Sequence, residues 1–431
     1  MKDVVIVEGV RTPFVKSGTL AKDLPAQELA RQVLQALLGR VSLRAEELDE
    51  VIFGCVAQPA EAANVARVAL INAGLPLGIP AHTVHRNCAS SMQSVSAAFE
   101  MIQAGSAEVV VAGGTESLSN TPLIYSKAFT EFFARLSRAR TLGQKLSTLA
   151  GFRLSMLAPR VSLMEGLTDP TCGLNMGQTA EVLAREFGIG RAEQDAFAVE
   201  SHRKAAAAQK SGRLAREIAP LYAPPSFEPL SLDNGVRPDS SVEKLAGLKT
   251  VFDRAHGTVT AGNSSQITDG AVALLVTTRE RAESWGVKPL ARIAGFAYAG
   301  LEPKRMGLGP VYSSARLLKK LGRRLSDMQL VEINEAFAAQ VLACLRAFES
   351  DTVSRERLGL DAALGALDPA RLNVNGGAIA LGHPVGSSGG RLLLTLALEL
   401  KDRGLSTGLA TLCVGGGQGA AFVLERTEYT Q

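Results

Sequence analysis

Two 16-residue stretches of this chain, 43–58 (LRAEELDEVIFGCVAQ) and 325–340 (LSDMQLVEINEAFAAQ), repeat one another in outline. Leu43 and Leu48 keep the spacing of Leu325 and Leu330, and the glutamate and apolar residues that follow coincide. A chain that runs one local programme twice is expected to fold as two similar halves, packed face to face into a layered core. The flanking sequence agrees. Short apolar runs at 4–7, 51–53, 81–85 and 109–112 read as strands, the last closed by Gly113-Gly114. Residues 26–38 and 62–73 read as helices, as does the stretch after Cys88, where Met92, Val95, Ala98, Phe99 and Ile102 fall at helical spacing. In the second half, strands are expected at 290–293, Leu330–Ile333 and 409–413, with a helix after Gly386. Alternation of this kind predicts an α/β protein with a mostly parallel sheet covered on both faces.

The halves are placed at 1–120 plus 250–285, and at 286–431. Between them, 121–249 is too long for a simple loop. It contains the proline run Pro220, Pro224, Pro225, Pro229 and the strongly helical 176–214, and reads as an inserted domain over one face. Composition restricts the class further. An apolar content of 46% supports a large buried core, and a net charge of +4 gives no sign of a nucleic-acid partner. The five cysteines (Cys55, Cys88, Cys172, Cys344, Cys413) form no CxxC pair, so neither a disulfide frame nor a metal site is indicated, and a reducing environment is expected. Neither a signal or transit leader nor an apolar run of spanning length is read in the sequence, so a cytoplasmic location is expected.

Four short segments carry residues suited to chemistry. Cys88 lies between a predicted strand and a predicted helix, where unpaired N–H groups and the helix dipole favour a thiolate. A buried structural thiol is the alternative. Asn334, at the end of Leu330–Ile333, suits the orientation of a water or a carbonyl, or else caps a helix. His383 sits in the glycine-rich run 375–384 and is stiffened by Pro384. It could transfer a proton or donate to an oxyanion, or cap a turn. Cys413 precedes Gly415-Gly416-Gly417, as an acid/base or as a packed thiol in a tight turn. A fifth segment, 258–265, is a run of small residues open enough for a flexible ligand to lie against its backbone.

In order, CASSM, GTVTAGNSSQITDGA, NEAF, GGAIALGHP and CVGGGQG closely resemble the motifs of the thiolases, and the resemblance extends over nearly the whole chain. It implies the thiolase fold, two βαβαβαββ halves in an α/β/α/β/α core with a loop domain inserted in the first. It also implies acyltransferase chemistry on coenzyme A thioesters without a cofactor, since coenzyme A is itself a substrate. Carried over by motif, Cys88 is the acylated nucleophile and His383 takes its proton and helps hold the thioester oxygen. Asn334 positions a water, and Cys413 is the acid/base at the α-carbon. The N–H groups of Cys88 and Gly415 form a second oxyanion hole. Ser265, Ala261 and Phe252, with Phe337 and Met176, fall where thiolases line the pantetheine tunnel, and Arg237 where a basic residue meets the nucleotide.

Short-chain thiolases carry His-Met where this chain has Asn175-Met176, and this chain is longer at 126–165, like the β-subunit of the fatty-acid oxidation trifunctional complex. That subgroup often has histidine where Asn334 stands. A degradative 3-ketoacyl-CoA thiolase is therefore expected, with a biosynthetic acetoacetyl-CoA thiolase as the alternative. A ketoacyl synthase is disfavoured by Cys413, and a non-catalytic lipid carrier or scaffold by the presence of Cys88 and His383. The resemblance further implies a homodimer or homotetramer, and through the trifunctional likeness a hydratase/dehydrogenase α-subunit as partner. Within 126–165, Phe129, Phe132, Phe133 and Leu136 share one helical face, and Leu142, Leu146 and Leu149 continue the stripe. Seven basic residues against two acidic ones from Lys127 to Glu165 make this the composition of a peripheral membrane or partner contact. The alternatives are packing on the protein's own core and attraction of coenzyme A phosphates.

Overall fold

The computed structural model describes residues 2–41 and 43–427. Of these, the residues up to 120 and from 169 onward form one compact unit, and 121–168 form another. Residues 169–249 thus belong to the first unit.

The first unit is built on a ten-stranded sheet. From one edge the strands run Leu330–Ile333, Thr407–Val414, Gln418–Glu425, Ala291–Gly300, Val4–Arg11, Thr268–Thr278, Val110–Glu116, Glu50–Gly54 and Ala81–Val84, and the tenth, Val15–Lys16, pairs with the start of Thr268–Thr278. The two halves meet where Val5 pairs with Arg292 and Ile6 with Ala291. Strand side chains alternate between faces, and the burial clusters follow that alternation. Val4 and Ile6 point to a central layer holding Met92, Val95 and Ile102 of the helix Ser90–Ala104 and Leu392, Leu396 and Leu400 of the helix Ser388–Arg403. Leu412, Phe422 and Leu424 of the second half close that layer from the other side. Val5 and Val7 point outward to Leu29, Val33 and Leu37 of the helix Ala26–Arg40. Val331 and Ile333 likewise meet Leu317 of Gly309–Leu321 and Val341 of Ala338–Phe348. The result is helix, sheet, helix, sheet, helix, as expected.

Three expectations need correction. The sheet is mixed, not mostly parallel. Thr268–Thr278 and Gln418–Glu425, one in each half, each run antiparallel to both neighbours. Among the described strands, parallel ladders join Glu50–Gly54 to Ala81–Val84 and to Val110–Glu116, and Leu330–Ile333 to Thr407–Val414. The tight turn at 415–417 has no room for a crossover, so the chain must return antiparallel. Gly113 and Gly114 do not end their strand but lie within it. A Cβ at Gly113 would stand 2.0 Å from the carbonyl oxygen of Val272, and one at Gly114 2.1 Å from that of Gly386. The internal repeat is present but slipped. A 3-10 turn followed by a strand occurs at Ala45–Glu47 and Glu50–Gly54, and again at Leu325–Asp327 and Leu330–Ile333. Leu330 therefore answers to Glu50 and not to Leu48. The slip is an even number of residues, so inward and outward faces are preserved.

The second unit is closed by the antiparallel pairing of Leu123 with Val161 and Ile124 with Arg160. It carries the helices Lys127–Arg138 and Leu142–Ala150, capped by Ser126 and Thr141. Phe132 is buried, stacked with Phe129 and tilted against Phe152. Phe133, Leu142, Leu146 and Leu149 are exposed. The expected single stripe is thus divided between a small aromatic core and an uncovered apolar surface.

Candidate active site

Cys88 lies in the turn between Ala81–Val84 and Ser90–Ala104. That turn is tightly specified. Asn87 takes a left-handed backbone (φ 43°), and its carbonyl accepts from the N–H of Ser90 at 3.0 Å and from Ser90 Oγ at 2.7 Å. Cys413 is buried at the end of Thr407–Val414. Two successive left-handed glycines, Gly416 (φ 86°) and Gly417 (φ 76°), then reverse the chain into Gln418–Glu425, a conformation that residues with a Cβ rarely adopt. The hairpin brings Gly415 beside Cys88, where the N–H of Gly415 and that of Cys88 itself pull the thiol towards ionisation.

Burial nevertheless pushes the Cys88 thiol up to about 11, against the pull of those two N–H groups. The helix N-terminus was expected to favour a thiolate, but in the resting protein desolvation of the charged form outweighs it. Cys413 is likewise pushed up, first by burial and then by the nearness of Cys88 and Cys344. Neither thiol is ionised at rest, so a base must take the proton when a substrate arrives.

His383 follows the short helix Ala378–Leu381, with its backbone N–H on the carbonyl of Gln266 at 3.1 Å. Its Nδ1 stands 2.6 Å from Ser388 Oγ, and that oxygen stands 3.0 Å from the carbonyl of Pro384. A hydroxyl has one proton and a carbonyl can only accept. Ser388 therefore donates to Pro384 and accepts from Nδ1–H, which leaves Nε2 bare. Asn334 agrees from the other side, with Nδ2 at 3.5 Å from Nε2. Burial and the charge of Arg391 lower His383 to about 4, so the imidazole is neutral. Its exposed lone pair is that of a general base. Asn334 is fully buried, and its Oδ1 has no protein partner. It does not cap the following helix, since Phe337 occupies that position.

Two buried carboxyls brace these loops. Glu335 accepts from Ser201 Oγ at 2.6 Å, Asn373 Nδ2 at 2.8 Å and the N–H of Ile379 at 3.3 Å. Glu116 accepts from the N–H groups of Ala57 and Gly386, both at 2.8 Å, and is raised by burial to about 7. Neither brace was marked by the sequence motifs as such, and nor was Ser388. Their roles depend on partners distant in sequence, and only the nearness of Ser388 to His383 offered a local signal.

The six residues assigned to coenzyme A fall into two groups. Arg237 and Ala261 line a cavity of 170 Å³ with His202, Lys244, Gly262 and Gln266. Gln266 joins this cavity to the His383 loop, through the carbonyl that binds the His383 N–H. Phe252 and Phe337 lie apart from that lining, edge to face at 5.9 Å. Met176 lies against Gly415, its Sδ 3.4 Å from where a Cβ would stand. Ser265 donates its N–H to the carbonyl of Ala336 at 2.9 Å, next to Phe337.

Models of the thiolase N-terminal and C-terminal domains match residues 4–280 and 287–426. A 3-ketoacyl-CoA thiolase of Pectobacterium carotovorum is 43% identical over 98% of this chain and 97% of its own. One from Yersinia pestis is 41% identical over 98% and 96%. Among solved structures, human mitochondrial 3-ketoacyl-CoA thiolase superposes with a TM-score of 0.85 at 37% identity, covering 99% of each chain. The Bacillus anthracis acetyl-CoA acetyltransferase gives 0.86 at 39% identity, also over 99% of each. Two domain models that together span nearly the whole chain, and relatives above 40% identity that cover it almost fully, show that the chain belongs to the thiolase family.

Proposed function

We propose that this protein is a 3-ketoacyl-CoA thiolase, which uses coenzyme A to split 3-ketoacyl-CoA into acetyl-CoA and an acyl-CoA shortened by two carbons. The observation that carries the reading is the meeting of the Cys88 turn with the Gly415 turn, joined by Asn87 Nδ2 on the Gly415 carbonyl at 2.7 Å, beside a second thiol, Cys413. Thiolysis needs a nucleophile, a separate acid/base and oxyanion donors, and this grouping supplies each.

In the first half-reaction the Cys88 proton passes to His383 Nε2 and the sulfur attacks the 3-keto carbon. The C2–C3 bond breaks, and its electron pair remains on C2 as the enolate of acetyl-CoA. Cys413 protonates C2, while His383 and Asn334 face the thioester oxygen on which that charge is delocalised. In the second half-reaction the Cys413 thiolate first recovers a proton from His383, and coenzyme A then gives its thiol proton to His383 and attacks the acyl-enzyme carbonyl. The oxygen of that tetrahedral intermediate lies in the hole formed by the N–H groups of Cys88 and Gly415. Collapse releases acyl-CoA, and Cys88 recovers its proton from His383. The thioester itself acidifies the α-carbon, so these residues need no metal or organic cofactor.

Asn175 in place of histidine favours substrates longer than acetoacetyl-CoA. Asn175 caps the helix Met176–Glu186, accepting from the N–H of Gln178 at 2.9 Å, so its side chain is held by the helix end. A series of 3-ketoacyl-CoA substrates tests the reading in the cleavage direction. We expect kcat/KM to hold level or rise from four carbons to eight or more. A sharp maximum at four carbons would assign the protein to the acetoacetyl class, the alternative.

The insert is proposed to dock on an anionic membrane surface. Supporting this are the exposed Phe133, Leu142, Leu146 and Leu149 and the excess of basic over acidic residues between Lys127 and Glu165. Flotation with anionic vesicles should show salt-sensitive binding that is lost on deleting 129–157. Vesicles that leave the intact protein at the bottom of the gradient would exclude membrane docking.

A further inference from the structure

The mechanism above leaves one residue of the nucleophile turn without a task. Asn87 immediately precedes Cys88, and its side chain points away from the chain that carries it. Its Nδ2 donates to the carbonyl oxygen of Gly415 at 2.7 Å. The same nitrogen stands 3.7 Å from where a Cβ on Gly415 would be and 3.9 Å from that position on Gly416. The carboxamide nitrogen therefore sits against the glycine turn that supplies one of the two oxyanion donors.

The other end of the residue fixes the second donor. The carbonyl of Asn87 and the N–H of Cys88 belong to one planar peptide and point in opposite directions. That carbonyl is held twice by Ser90, through N–H and Oγ. The Cys88 N–H is thereby aimed away from the helix. Arg86 adds a parallel tether, with Nη1 on Gln418 Oε1 at 3.0 Å and its guanidinium over the Tyr298 ring at 4.1 Å. Asn87 differs in that it carries the carbonyl of the Cys88 peptide and also bonds Gly415. The left-handed backbone it needs is one that asparagine tolerates better than most residues.

We infer that Asn87 is a positioning residue for the acyl-enzyme, setting the separation and angle of the Cys88 and Gly415 N–H groups that hold the acyl oxygen. The inference rests on the thiolase reading of the site. Asn87 does not touch the reacting atoms. Its effect passes through two backbone amides, and an error of about 1 Å in such a pair costs on the order of 10²-fold in rate.

The test uses the full-length protein and two variants that keep the left-handed backbone accessible. N87G removes the carboxamide, and N87D replaces the donor with a carboxylate that cannot donate to a carbonyl. Cys88 is acylated with carbonyl-labelled acetyl-CoA, and the acyl-enzyme is followed by difference infrared spectroscopy and by single-turnover transfer to coenzyme A. We expect the acyl C=O stretch of both variants to move up towards that of a thioester in water. Transfer to coenzyme A should slow by about tenfold to 10²-fold, with KM for coenzyme A unchanged and thermal unfolding within a few degrees of wild type. If N87G shows the wild-type stretch, whatever its rate, the inference is overturned, because the carbonyl would then feel the same donors without the clamp. A shifted stretch in N87G with an unchanged transfer rate overturns it equally. Should wild-type protein form no acyl-enzyme at Cys88 at all, the thiolase reading itself fails, and that result is distinct from the other two.

Discussion

Replacing Cys413 with alanine should sharply reduce cleavage and condensation while leaving acyl exchange intact. The division follows from where the two sulfurs lie. Cys88 has the N–H groups of Gly415 and of its own peptide, the donors needed to take and hold an acyl group. Cys413 is pushed up by burial and then by the nearness of Cys88 and Cys344. A thiol that resists ionisation is a weak nucleophile at rest but a competent acid towards a carbanion. Losing one general acid costs about 10²–10⁴-fold, so thiolysis of a 3-ketoacyl-CoA should fall by that factor in C413A. Exchange of acyl groups between acyl-CoA and free labelled coenzyme A should stay within the same order of magnitude. Equal loss of both activities would mean that the two cysteines share one step.

Replacing His383 with alanine should damage both half-reactions, each by at least about 10²-fold, the cost of one oxyanion donor. It removes the base for Cys88 as well as a donor near the thioester oxygen. The pH dependence of the wild type gives a second reading of the same residue. His383 must be unprotonated to accept a proton. Burial and Arg391 lower it from the usual 6.5 to about 4, so the working neutral form persists from neutrality down to about that value and is lost only below it. The rate of Cys88 acylation should therefore show no acid limb near 6.5. A midpoint between 6 and 7 would show that His383 is not the base or is not desolvated as described.

Much of this is legible in the sequence alone, for a physical reason. Helical and strand periodicity are local, so Ala26–Arg40, Ser90–Ala104 and Glu50–Gly54 could be read from spacing alone. Cys88, Asn334, His383 and Cys413 stood out because each interrupts such a pattern at the end of a strand or in a glycine-rich turn. What stayed hidden depends on neighbours far away in the chain. Gly113 and Gly114 resemble a turn until the backbones of Val272 and Gly386 are seen against them. The antiparallel strand Thr268–Thr278 was hidden because an apolar run carries no direction. The ionisation of Cys88 could not be read from its place at a helix start, since it is decided by packing around the sulfur. Ser388 and Asn87 act through single hydrogen bonds, and a polar residue beside a motif gives no sign of which oxygen it will meet.

The ladder that joins the halves has a consequence for what activity measures. Cys88 belongs to the first half, while Asn334, His383, Cys413 and Gly415 all belong to the second. Apart from the central helical layer, the two sheets are stitched by a short seam, Val5 with Arg292 and Ile6 with Ala291. Neither half holds a rudimentary enzyme, since one owns the electrophile's destination and the other all the machinery for moving protons. Turnover is thus a report on the alignment of two bodies. Any slackness along that seam should be felt as lost chemistry before it is felt as lost structure.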